Sequence, residues 1–227
     1  MSDPATKAEI MRTVGRLVRG LSALFWGLPL SLVVGVQTAR TDWLSSFGVV
    51  PAILTTSLLY YGLWQLSHFQ KQERAWVAAV ERAKFLALIN VGLSPFLFWW
   101  HRLPHVVYFT VVVSVLSLSS VLFLFNLNQV LQRLSALLPD ETLRYDAHTF
   151  TTLNLYLLLS ILVLLALVLM LVQISSPPHW VVQIRMLLDR EYLWFVVLLL
   201  LLPVAMTMAL LWKTKEVILA SIFGTDA

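Results

Sequence analysis

The sequence has no cysteine among its 227 residues, which excludes disulfides, thiolate zinc sites, iron–sulfur ligation by Cys, covalent haem attachment and catalytic thiols. Charge is scarce as well. Only 12% of the residues are Asp, Glu, Lys or Arg, while 59% are hydrophobic and the mean hydropathy is +0.82. Soluble domains run near 25% charged and roughly 45–50% apolar, so a water-soluble fold is excluded. The chain also lacks a glycine-rich phosphate loop, an HExxH, a GxSxG and paired intramembrane aspartates, leaving kinase, zinc hydrolase and membrane protease readings without residues to carry them. No cofactor and no nucleic-acid partner is expected.

What the chain does have is six apolar runs, over 21–36, 47–66, 85–100, 106–125, 153–172 and 193–212, none holding an Asp, Glu, Lys or Arg. About 20 such residues cross a hydrocarbon core of about 30 Å. Unbroken hydrophobicity, in place of alternation, indicates helices and not a barrel. The predicted fold is an all-α integral membrane protein of six transmembrane helices arranged as three hairpins. Arg12, Arg16 and Arg19 precede the first run, but the long polar lead and the absence of a small-residue cleavage site predict an uncleaved span and not a signal peptide.

Basic residues set the orientation. Lys7, Arg12, Arg16, Arg19, Lys71, Arg74, Arg82, Lys84, Arg133, Arg144, Lys213 and Lys215 fall on one side of this topology, and Arg40, Arg102, Arg185 and Arg190 on the other. Twelve against four places both termini in the cytoplasm of an inner membrane. Trp26, Trp43, Trp64, Trp99, Trp100, Trp180, Trp194 and Trp212 lie near span ends, where an aromatic belt would sit.

Three cytoplasmic stretches have amphipathic spacing. Over 1–20, Ile10, Val14, Leu17 and Val18 share one helical face and Arg12, Arg16 and Arg19 another, a pattern that suits anionic lipid or a partner subunit. Beyond span four, Leu127, Val130, Leu131, Leu134, Leu137 and Leu138 recur at helical spacing until Pro139, with Asp140 and Glu141 opening the next turn. This helical extension over 126–138 must be covered by the chain's own 70–84 segment, with its Trp76, Val77 and Val80, by a partner helix or by lipid. The tail over 214–227 carries Ile218, Leu219, Ile222 and Phe223. The membrane domain proper occupies 21–213.

Within the spans, Gly27, Ser31 and Gly35 form a small-residue stripe, Ala83, Ala87, Asn90 and Ser94 a second, and Ser114 with Ser117 a third; such stripes let helices approach closely. Leu-rich spans five and six have no glycine and are predicted to lie outside a tight group of the first four. Pro95 and Pro203 predict kinks. The absence of intramembrane charge argues against proton- or sodium-coupled transport. His101 and His105, with His179 on the same side, are the weak candidates for a metal or haem site, and interfacial anchoring beside tryptophan is the plainer account. Arg144, Asp146 and His148 would be the only candidates for an enzyme site, and a solvated helix start explains them as well. Between the proline pair Pro177 and Pro178 and span six, Trp180, Val181, Ile184, Leu187 and Leu188 predict a short interfacial helix over 175–192.

These features point to a non-catalytic polytopic subunit in contact with the bilayer, joined to protein partners through its cytoplasmic amphipathic helices as a homo- or hetero-oligomer. The layout also resembles that of the permeases of ATP-driven ABC-2-type exporters: an amphipathic helix before span one, six spans with both ends inside, a basic loop after span two, and a longer outer segment between the last two spans. That resemblance implies a membrane-domain subunit served by a separate ATPase.

Overall fold

The computed structural model describes residues 4–43, 45–70, 72–103, 105–138, 140–173 and 201–221. The expected helix over 175–192, His179, and the start of the run over 193–212 lie outside them. Among the described residues there is no strand. The helices are α1 (Pro4–Arg40), α2 (Val50–Leu66), α3 (Arg74–Leu93), α4 (Phe96–Arg102), α5 (Val107–Leu137), α6 (Glu141–Gln173) and α7, the helical residues 201–221, with one 3-10 turn at Ser45–Phe47.

Among the described residues four helical stretches are long and apolar enough to cross a membrane: Met11–Arg40, Arg74–Arg102, Val107–Leu137 and Glu141–Val163. The chain is therefore a multi-pass membrane protein. The basic N-terminal stretch leads directly into the first span, α1 running without interruption from Pro4 through Pro29 to Arg40. Its apolar face is already used: Leu17, Leu21 and Leu24 are buried within the chain.

Between helices in a bilayer, packing and interhelical hydrogen bonds replace the hydrophobic drive, and α1 and α2 show how. A Cβ placed on Gly20 would come within 2.3 Å of Leu66 Cδ1 and 2.8 Å of the Gly62 carbonyl oxygen, and one on Gly62 within 2.7 Å of Leu24 Cγ. Two turns further along α1, Gly27 meets Leu59, so the two helices run antiparallel with backbones in near contact. The predicted stripe thus contributes Gly27 to the seam, while the seam's centre is the pair Gly20 and Gly62. Ala83, Ala87, Asn90 and Ser94 are all buried, as their shared face predicts. Ser114 and Ser117 are exposed instead, their hydroxyls donating to Thr110 and Val113 carbonyls of their own helix; the buried serines of α5 are Ser119 and Ser135.

Of the three covers its stripe allowed, the extension of α5 has the one inside the chain, the 70–84 segment, and not a partner helix or lipid. Leu127, Val130, Leu131 and Leu134 are fully buried, in one core with Trp76, Ala79 and Val80 of α3, and Leu137 and Leu138 pack against its edge. The Trp76 indole N–H donates to the Phe69 carbonyl at 2.8 Å. Leu138 ends the helix in extended conformation, as Pro139 dictates, and Asp140 caps α6: its carboxylate accepts from the Thr142 hydroxyl (2.7 Å) and from the Thr142 and Leu143 amides.

The expectation that the last two helices lie outside the tight group also needs correcting. Leu143, Ala147 and Leu158 of α6 and Val204, Leu210, Leu211 and Ile218 of α7 belong to the same core, and Trp212 lies against Phe25 of α1. Polar side chains account for this. The Thr207 hydroxyl accepts from the amides of Asn128 (2.9 Å) and Asn154 (3.0 Å) and donates to the Pro203 carbonyl, tying α5, α6 and α7 together at one buried atom.

Candidate functional site

The arrangement leaves a cavity of about 500 Å³ between the helices. Leu28, Leu32 and Val36 of α1, Leu59 of α2, Leu116, Phe123 and Leu124 of α5, Leu158 and Ile161 of α6 and Val204 of α7 make most of its wall. From Leu28 to Arg40 the cavity follows α1 for twelve residues, about 18 Å at the helical rise. Its polar members are grouped. Arg40 and Trp100 stand at one end, while Ser31, Thr55, Thr56, Asn90 and Ser94 interrupt the apolar wall.

The polar patch follows from a helix defect. Proline at 95 has no N–H, so the Val91 carbonyl one turn back loses its backbone partner; the Ser94 hydroxyl donates to it at 3.0 Å. The chain tightens there, with Leu97 N–H bonded to the Ser94 carbonyl, and the stretch Arg74–Arg102 divides into α3 and α4. Thr56 of α2 donates to the Ser94 hydroxyl at 3.3 Å. One turn before, Asn90 is 4% exposed, and its carboxamide oxygen has no hydrogen-bond partner. A buried acceptor without a donor costs about 1–3 kcal/mol, which a ligand hydroxyl or amide reaching Asn90 would recover.

Several predicted site residues meet in this cavity: Ser31, Gly35, Asn90 and Ser94 line it, whereas their spacing indicated packing alone. Arg40, Thr55 and Thr56 had not been singled out; the adjacent threonines in the middle of an apolar run were the available signal. Arg12, Arg16 and Arg19 do not reach it and line a separate cleft with Trp64, Gln65 and His68. Among the described residues the histidines do not assemble. His101 Nε2 lies 3.3 Å from the exposed carboxylate of Asp42, to which it donates, His105 is exposed, and among the described residues no three His, Asp or Glu side chains could share a metal ion. Nor does the enzyme candidate hold together, since Asp146 pairs with Lys213 of α7 while His148 and Arg144 are exposed.

No protein-family model matches the chain, and no curated protein or solved structure matches it either.

Proposed function

We propose that this chain is a non-catalytic polytopic membrane subunit that holds one amphiphilic molecule between its helices. The cavity carries the reading. Its volume falls inside the range of about 300–1,000 Å³ typical of small-molecule sites, its wall suits an apolar chain, and Arg40 with Trp100 at one end suits a polar or anionic head. A diazirine-bearing fatty acid, photolysed with the purified full chain, should label Ser31, Gly35 and Asn90, and Gly35→Trp should abolish that labelling. Labelling spread evenly over lipid-facing residues such as Val33 and Val111, and indifferent to Gly35→Trp, would refute the proposal.

In this reading the chain makes six spans as three hairpins in an inner membrane, with both termini cytoplasmic, as the distribution of basic residues supports. Its partners meet it on the outer face of α5, where Thr110 and Ser114 are exposed and small enough for a second helix to approach. A photocrosslinker at position 114 tests this directly: a discrete adduct supports the contact, and its absence from native membranes counts against it. The same cavity favours the alternative, a permease subunit of an ATP-driven ABC-2-like exporter. An ATPase that co-purifies and whose turnover rises with the bound amphiphile would select that reading.

A further inference from the structure

Arg12, Arg16 and Arg19 stand one turn apart on α1 and share a cleft of about 280 Å³ with Trp64, Gln65 and His68 at the end of α2. Among the described residues no carboxylate enters it. Among the described residues the salt bridges are those of His101 with Asp42 and Lys213 with Asp146, so the three guanidinium groups have no acidic partner, and Arg19 Nε donates only to the Gly15 carbonyl of its own helix. On the α2 side, the His68 ring nitrogen Nδ1 is 2.9 Å from the Trp64 carbonyl and must donate to it, fixing the imidazole edge-on to the Trp64 ring.

The same face of α1 changes character as it enters the bundle. Continuing from Arg12, Arg16 and Arg19 at i, i+4 and i+7, the positions i+14, i+18 and i+21 are Trp26, Leu30 and Val33, exposed by 63%, 45% and 55%. The antiparallel α2 shows a matching order, with His68 and Trp64 at its end and the exposed Tyr61 and Leu54 further in. Positive charge at the tip and exposed apolar side chains behind it complement one molecule in both respects.

We propose that this face binds an anionic phospholipid, its phosphate among the guanidinium groups of Arg12, Arg16 and Arg19 beside Trp64, and its acyl chains along Trp26, Leu30 and Tyr61. Arginine suits the task, because its planar fork grips phosphate through paired N–H donors. A tryptophan at headgroup depth completes the interface. This site is distinct from the interhelical cavity and stands or falls without it.

Native mass spectrometry of the full chain in detergent, titrated with dioctanoyl phosphatidylglycerol, dioctanoyl phosphatidylcholine or inorganic phosphate, tests the assignment. The expected result is saturable uptake of one phosphatidylglycerol. Its affinity should fall about a hundredfold in the Arg12→Gln, Arg16→Gln, Arg19→Gln triple variant, on the order of fivefold per guanidinium, and hold in the charge-matched variant Arg74→Gln, Arg82→Gln, Lys84→Gln. Replacing the three arginines by lysine keeps the charge should the glutamine variant be misfolded, and is expected to lose several-fold through the missing fork. An equal fall in the charge-matched variant, equal affinity for phosphatidylcholine, or undiminished binding in the lysine variant would overturn the site. Competition by inorganic phosphate at the concentration of the lipid would overturn the lipid as its occupant.

Discussion

Substituting Gly20 by Ala adds one carbon where the structure has no room. The new Cβ would lie 2.3 Å from Leu66 Cδ1, 2.8 Å from the Gly62 carbonyl oxygen and 3.0 Å from Gln65 Cβ. The leucine tip can rotate away, but the carbonyl belongs to the backbone of α2 and can only retreat with its helix. Overpacking of this kind costs typically about 1–3 kcal/mol, against which alanine returns roughly 0.5–1 kcal/mol of helix propensity. The net loss is therefore on the order of 1–2 kcal/mol, or about 2–8 °C in Tm at this chain length. Gly15 and Gly92, which also sit in helices, have nothing within 4 Å of the corresponding position, so the same substitution there should be neutral or slightly stabilising. Gly62→Ala meets Leu24 and the Gly20 carbonyl, and once the helices have separated for the first methyl the second should cost less, so the double variant should fall short of the sum. The measurement is thermal unfolding in detergent followed by helical circular dichroism. A Gly20→Ala protein that melts at or above the temperature of Gly15→Ala would refute the close-contact account of the α1–α2 seam.

Thr207→Val removes the acceptor shared by Asn128 and Asn154 and should cost on the order of 1–3 kcal/mol, while Thr207→Ser should keep most of the stability; equal melting of the two variants would show that the hydroxyl does not matter. Asp140 is held below its ordinary value of 3.8 by the Thr142 hydroxyl and the Leu143 amide, so its charged form favours the folded state. With the folded value depressed, that contribution is complete above about pH 4 and is lost as pH falls through the lowered value. A pH series of melts from 6 to 2 should therefore show a steeper acid decline in the natural protein than in Asp140→Asn, which keeps a cap acceptor but does not titrate; superimposable curves would argue against the cap.

Hydrophobic run length was enough to recognise a multi-pass helical protein, and periodicity was enough to place Leu127, Val130, Leu131 and Leu134 on one face. Which of the three possible covers that face has was not readable, since a stripe shows that burial is required without saying by what, and Trp76 and Val80 of the 70–84 segment supplied it from within. The tight α1–α2 seam escaped for a related reason: the stripe through Gly27, Ser31 and Gly35 looks stronger on one helix, but close approach needs a small residue on both, and only the pair Gly20 and Gly62 provides it. Leucine-rich sequence suggested that α6 and α7 would be peripheral, whereas the sparse Asn154 and Thr207 decided the matter, because a few polar groups at depth outweigh many equivalent leucines. The cavity was the least legible feature, being formed from residues of seven helices with no common spacing.

The division of one long helix at Ser94 and Pro95 has a mechanical consequence for that cavity. On one side of the joint, α3 is anchored along α5 through Trp76, Ala79, Val80 and Ala83. On the other, α4 has seven residues, none fully buried, and carries the cavity-lining Leu97 and Trp100. A continuous ladder of hydrogen bonds would make the two pieces a single rod, but here a hydroxyl substitutes for the missing rung, and a side chain can release a carbonyl at far less cost than a backbone amide can. The cavity wall is thus a fixed post and a short leaf hung on it. The Thr56 hydroxyl lies 3.3 Å from that of Ser94 at the joint, and the shorter piece carries Trp100 at the end where Arg40 stands.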